Sequence, residues 1–147
     1  MKALLRGLLT AAVVASTSAC TSAVQTLAVS IPVDTAACQG EHQGGLILLD
    51  RLPGADPNGT DNNNWLVEVN MGSQPTPGYG LSLLSPTLQI EGDTASIALK
   101  WIKPPAGKML PQMVTTPCLV LSIEKGDYTR LQIHDESGEV RYQMALP

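Results

Sequence analysis

The three cysteines are the residues whose positions point most directly to chemistry. Cys20 follows residues 16–19, a run of small side chains of the kind that a signal peptidase accepts. A cysteine placed directly after such a cleavage site is the residue on which bacterial lipoproteins carry diacylglycerol. We therefore predict that the chain is cut before Cys20 and is held on a membrane by lipid attached to that thiol.

The residues before the cut have the features of a signal peptide. Lys2 and Arg6 supply positive charge, and the apolar residues Leu4, Leu5, Leu8, Leu9 and 11–15 form a stretch shorter than the roughly 20 residues that span a bilayer. Thr17 stands where the usual lipobox has leucine, which leaves ordinary secretion with a free Cys20 as the alternative. Thr21 replaces the aspartate that marks inner-membrane retention, so we expect an outer-membrane lipoprotein that faces the periplasm.

Cleavage would leave 128 residues, enough for one domain with its own core. The formal charge of that part is 7 minus 13, or −6, because Lys2 and Arg6 are lost and every acid is kept. Such a surface does not suit nucleic acid. We divide the chain into a signal peptide over 1–19, a lipidated tether over 20–26 and a domain over 27–147.

Cys38 and Cys118 remain once Cys20 is assigned to lipid. An exported compartment permits disulfides, and two cysteines allow one pairing, so we predict a Cys38–Cys118 bond. Two buried free thiols are the alternative. A zinc site is disfavoured, because no histidine pair gives the two cysteines the usual ligand spacing.

The chain shows no arrangement of residues typical of catalysis. A hydrolase needs a nucleophile beside a base, and the two histidines, His42 and His134, lie outside any Gly-x-Ser-x-Gly or His-Glu-x-x-His motif. The oxygen-rich stretch over 56–64 lacks the spacing and final glutamate of a calcium-binding EF-hand. We therefore predict no enzyme activity, no metal and no cofactor.

One loop has the features of a binding element. Its two prolines restrict the backbone, and its glycine permits angles that other residues avoid. A stiff loop loses little conformational entropy when it docks on a partner. The alternative is a turn that only joins two strands, with the tyrosine packed inward. The predicted partner-binding residues are Gln74, Pro75, Thr76, Pro77, Gly78 and Tyr79.

The elements that must position this loop are short strands. Apolar residues alternate with polar ones over segments such as 65–71 and 95–101, and Gly-containing turns separate the segments. No segment after the signal peptide keeps a helical period. Eight or nine strands with this turn spacing predict an all-β fold, a single small sandwich or barrel-like domain after an N-terminal signal helix.

The order of motifs over about residues 65–126 resembles the PrcB family, named for a subunit of a bacterial surface protease complex. The likeness lies in an apolar strand ending at Gly72, the loop 74–79, the paired prolines and glycine at 104–107, and 115–118 opening a hydrophobic strand. The resemblance implies a non-catalytic accessory lipoprotein that stabilises or assembles a secreted serine protease. The implied partner is another envelope protein, with a subtilisin-like protease as the candidate.

A second resemblance gives the alternative function. The segment 75–79 is similar to the stiff loop that chagasin-type inhibitors of cysteine proteases present from a β-sandwich. Those inhibitors use two further loops, for which Gly44-Gly45 and Pro117-Cys118 are poor substitutes. Protease inhibition through the loop 74–79 is therefore the second hypothesis.

Overall fold

The computed structural model describes residues 24–32, 38, 43–50 and 63–147, and the regular structure in these ranges is all β-strand. This confirms the predicted all-β fold, whereas the signal peptide lies outside the described residues. The strands are β1 (Gln25–Ser30), β2 (Gly45–Leu49), β3 (Asn64–Asn70), β4 (Gly80–Leu83), β5 (Thr87–Glu91), β6 (Thr94–Ile102), β7 (Cys118–Glu124), β8 (Arg130–His134) and β9 (Val140–Ala145).

The nine strands form one sheet in the order β2-β3-β7-β1-β5-β6-β8-β9, with β4 paired to β6 beside this path. The β6–β8 pair is parallel, and the other pairs are antiparallel. The sheet curls until its two outer strands approach each other. The Tyr142 hydroxyl on β9 takes the space that a side chain at Gly44, just before β2, would need. The result is a nearly closed, barrel-like sheet.

The interior of the barrel is aliphatic because alternate residues of each strand point inward. In β6 the residues Ala95, Ile97 and Leu99 are buried, and their neighbours are partly or fully exposed. Complete burial of an aliphatic side chain contributes about 1.5–3 kcal/mol, so these positions dominate the stability of the sheet. The large core side chains with essentially no exposure are Val67, Val69, Leu88, Ile97, Leu99, Leu121, Ile123, Leu131 and Ile133.

The outer face of β3 and β7 is buried as well as the inner face. Glu68 and Asn70 of β3 are 0% and 1% exposed, and they pair across to Val120 and Cys118 of β7, which are also buried. The sequence pattern indicated a strand with polar residues facing solvent. The structure instead places a covered polar layer here, with Cys38 bonded to Cys118 at its edge.

Strand β1 already begins at Gln25, because Gln25 and Thr26 pair with β5. β8 begins at Arg130, and Tyr128 is buried in the connection before it. Within the described ranges, no helix has the length and apolarity required to cross a membrane.

Candidate partner-binding site

Two irregular segments, 74–79 and 104–117, meet at one end of the barrel, and we call them together the rim. The first segment precedes β4, and the second connects β6 to β7. Six of the eleven prolines of the chain lie in the rim. Because each proline fixes its own backbone φ angle, the rim is stiff although it contains no regular strand.

Backbone hydrogen bonds join the two segments. The Gln74 amide donates to the Thr115 carbonyl at 2.7 Å, and the Thr115 amide donates to the Gln74 carbonyl at 2.9 Å. The Thr115 hydroxyl donates to the Thr76 carbonyl at 3.3 Å. At the base of the rim, the Met71 amide donates to the Pro117 carbonyl at 2.9 Å. The predicted loop is therefore one half of a composite surface rather than an isolated turn.

A glycine is required where the two segments touch. Gly78 has a φ of 98°, in the left-handed region that favours glycine. A Cβ atom built there would lie 3.0 Å from the Cβ of Pro104, closer than ordinary van der Waals contact. Both the backbone angle and the approach of Pro104 therefore disfavour a side chain at position 78.

Two shallow grooves cross the rim. One, of about 380 Å³, runs between residues 77–81 and residues 115–118. The other, of about 600 Å³, lies among Thr76, Pro104, Lys108 and Leu110. Their walls combine backbone groups, threonine hydroxyls and apolar side chains, a mixture suited to a polypeptide partner.

The most exposed apolar side chains of the rim lie on 104–117, not on 74–79. Met109 is fully exposed (102%), Val114 is 67% exposed and Met113 is 56% exposed, while Ile102 at the end of β6 is 39% exposed. In the sequence, this stretch contributed to the family resemblance, but its apolar side chains were not predicted to bind a partner. The signal that could have identified it is the presence of large apolar residues in a proline-rich segment that cannot form a strand.

The residues of the loop 74–79 differ in exposure. Pro75 and Gly78 are exposed, whereas Gln74, Thr76 and Tyr79 are partly buried by the contacts with 104–117. Tyr79 and Pro77 line the smaller groove. All six predicted residues thus lie on the rim, and their role in binding a partner stays a prediction.

The charges near the rim are unevenly placed. Residues 69–90 contain no charged side chain, and 94–123 contain three lysines and no acid. The turn after β8 brings an acidic group to the end of β6, where Glu136 accepts a hydrogen bond from the Trp101 amide at 3.1 Å. Backbone amides of Glu136 itself and of Trp101 hold the pKa of this carboxyl below its ordinary value. The surface of the rim itself is therefore apolar and neutral except for Lys108.

The predicted Cys38–Cys118 disulfide is present, with 6.2 Å between the two Cα atoms. Glu68 brings a carboxylate oxygen within 4.8 Å of the two sulfurs. Sulfurs that are bonded to each other no longer offer the thiolates that zinc requires. Cys20, the predicted lipid attachment site, lies outside the described residues.

The histidines and the oxygen-rich stretch were the other residues considered for chemistry. The His134 Nδ1 atom lies 3.1 Å from the Gly138 carbonyl oxygen, and its Nε2 atom is buried without a hydrogen-bond partner among the described residues. The imidazole therefore holds the end of β8 to the following turn. His42 and residues 56–62 lie outside the described part of the chain.

The fold and the rim define a class of protein: a small barrel-like β domain that presents a stiff composite surface at one end. Residues 66–124 match the PrcB C-terminal family, which confirms the resemblance predicted from the sequence. The match extends from β3 to the end of β7, and so it contains the whole rim. No curated protein and no solved structure is significantly similar to the chain.

Proposed function

We propose that this chain is a non-catalytic accessory subunit of the bacterial envelope whose rim binds a protein of a secreted protease complex. The observation that carries the proposal is that both rim segments lie inside the PrcB C-terminal match. The name of that family refers to a protease-complex subunit, and a subtilisin-like protease is the partner we expect. The rim would serve to stabilise or assemble that protease.

The chemistry of the rim supports a protein partner. The core of a protein interface is apolar and enriched in methionine, and a preorganised backbone reduces the entropy lost on docking. The rim offers both, since Met109, Met113 and Val114 are exposed on a segment that hydrogen bonds and prolines hold in place.

The topology places the rim far from the start of the domain. Gln25 pairs with Ile90, which pairs with Ala95 near the beginning of β6. The rim begins just after Ile102 at the other end of that strand. Seven residues of extended strand separate Ala95 from Ile102, or about 23 Å. If lipid on Cys20 holds the N-terminus at the membrane, the rim faces away from the bilayer, toward an exported partner.

Crosslinking in intact cells tests the partner. A photoreactive residue replaces Thr76 or Lys108 on the rim, and a control places it at Asp127, in an exposed connection at the opposite end of the barrel. We expect both rim positions to give the same adduct, identified by mass spectrometry as a protease or a subunit of its complex. Adducts of equal yield from position 127, or none from the rim, would contradict the proposal.

Measurement of protease activity distinguishes an accessory subunit from an inhibitor. An accessory subunit predicts that deletion of this protein lowers the activity or abundance of the crosslinked protease. A chagasin-like inhibitor predicts the reverse, with higher protease activity on deletion and inhibition by the purified chain. The variant Thr76→Arg places a charged side chain beside the larger groove, and we expect it to reproduce the deletion in either case.

The anchor is tested separately. We expect radioactive palmitate to label the wild-type chain and not the Cys20→Ser variant, which should also leave the outer-membrane fraction. Equal labelling of both chains, or membrane association that survives the substitution, would exclude lipid on Cys20. Neither result depends on the rim.

A further inference from the structure

We propose that Met109 and Met113 are oxidation sites on the rim, and that conversion of their thioethers to sulfoxides weakens partner binding. The first part concerns the free protein and stands alone. The second part rests on the proposed function of the rim.

The structure divides the methionines into two classes. Met109 is 102% exposed and Met113 is 56% exposed, both on the rim. Met71 and Met144, the other methionines among the described residues, are partly buried and pack against the barrel core. An oxidant must reach the sulfur to react with it, and so exposure sets the order of reaction. We expect Met109 to react first, then Met113, and the two core methionines much later.

The reaction needs only a peroxide-class, two-electron oxidant such as hydrogen peroxide. A sulfur lone pair attacks one peroxide oxygen, the oxygen–oxygen bond breaks, and a sulfur–oxygen bond forms. The second oxygen leaves as water after taking up a proton, with proton exchange through the solvent. The methionine loses two electrons and the peroxide gains them, so the products are one sulfoxide and one water.

The sulfoxide changes the surface without changing the fold. Neither exposed side chain supports the core, so oxidation should leave the barrel and its stability intact. A sulfoxide oxygen, however, is a strong hydrogen-bond acceptor, and burying it in an interface without a donor is unfavourable. The modification therefore acts on docking rather than on folding.

The modification sites are tested on the full chain purified from cells. The folded protein is treated with hydrogen peroxide, and the sulfoxide at each methionine is followed by peptide mass spectrometry over time. We expect Met109 and Met113 to react roughly tenfold faster than Met71 and Met144. The same protein in denaturing urea should show equal rates. Equal rates in the folded protein, or earlier oxidation of the core pair, would overturn the assignment.

The effect on binding is tested by the crosslink from position 76. In cells exposed to peroxide, we expect the adduct yield of the wild-type rim to fall about fivefold or more. The matched control is the Met109→Leu/Met113→Leu double variant, which keeps the apolar surface but cannot form sulfoxide, and its yield should not change. An unchanged wild-type yield with both sulfoxides formed would overturn the inference. Absence of the adduct before oxidation would instead refute the proposed function, and the rates in the free protein would still test the sites.

Discussion

Removal of the Cys38–Cys118 disulfide should lower the free energy of unfolding by about 4–5 kcal/mol. The two cysteines are 80 residues apart in sequence, so the bond closes a long loop in the unfolded chain. In the chain-entropy treatment, a loop of that length restricts the unfolded state by an amount equivalent to about 4.5 kcal/mol at 25 °C. A domain of this size is stable by about 5–15 kcal/mol, so the loss is a third of the total or more.

The surroundings of the bond add to this expectation. Cys118 is 6% exposed and pairs with Asn70, while Glu68 on the same outer face is fully buried. Without the bond, Cys38 is no longer fixed to this face, and water can reach Glu68 and Asn70 more often. This local effect would lower the free energy of unfolding further, and the loop-entropy value does not include it.

The assay is urea unfolding of the Cys38→Ser/Cys118→Ser variant, followed by circular dichroism. The matched control is Cys20→Ser, which removes one thiol and leaves the bond intact, as the intact mass would verify. We expect the midpoint urea concentration to fall strongly in the double variant, and reduction of the control protein to reproduce the fall. A double variant within about 1 kcal/mol of the control would refute the entropic reasoning.

Three further substitutions test other parts of the fold. Gly78→Ala should cost about 1–2 kcal/mol in urea unfolding, because of the 98° φ angle and the contact with Pro104; Gly92→Ala, with a φ of 62° but open space around it, should cost less. Burial, aided by the nearby Glu124 carboxylate, raises the pKa of Tyr128 to about 12, so the free energy of unfolding should fall between about pH 10 and 12. Tyr128→Phe should remove this fall. The variant should also lose about 1 kcal/mol at neutral pH, because the tyrosine hydroxyl no longer donates to the Glu124 carbonyl. Hydrogen bonds from the turn after β8 lower the pKa of Asp135, so the ionised carboxylate stabilises the fold above its ordinary pKa of 3.8, and this stabilisation is lost as the pH falls below that value. In Asp135→Asn, the free energy of unfolding should therefore fall less on acidification.

The strands themselves could be predicted because the interior of the barrel is apolar, so that apolar residues alternate with polar ones along each strand. β5 and β6 alternate between buried and outward-facing residues, and the Gly92 turn between them has the positive φ that its sequence indicated. These are local properties, set by side-chain alternation and turn chemistry within a few residues. The disulfide was also predicted, because assigning Cys20 to lipid left two of the three cysteines and hence a single pairing.

The covered face of β3 and β7 could not be predicted in the same way. Glu68 and Asn70 occupy the polar positions of an alternating pattern, which normally marks the solvent side of a sheet. Beside Glu68 lies Cys38, which is bonded to Cys118 across a separation of 80 residues in the sequence. The parallel pairing of β6 and β8 is likewise non-local, because a hairpin pattern along the chain suggests antiparallel neighbours.

For the rim, the sequence located a stiff loop correctly but did not show what holds that loop in place. Proline and glycine identified 74–79 as stiff, and the structure adds the bonds between Gln74 and Thr115 that hold it. Thr76 and Tyr79 are partly buried, whereas Met109 and Val114 on the other segment are exposed, so the surface left for a partner shifts toward Met109 and Val114. A substitution confined to 74–79 therefore perturbs the support of the rim as well as its surface, whereas Met109, which is fully exposed, can be changed without loss of support. Loss of partner crosslinking in Met109→Ser with unchanged unfolding would attribute binding to the exposed surface around Met109, and full retention of crosslinking would place the contact elsewhere on the rim.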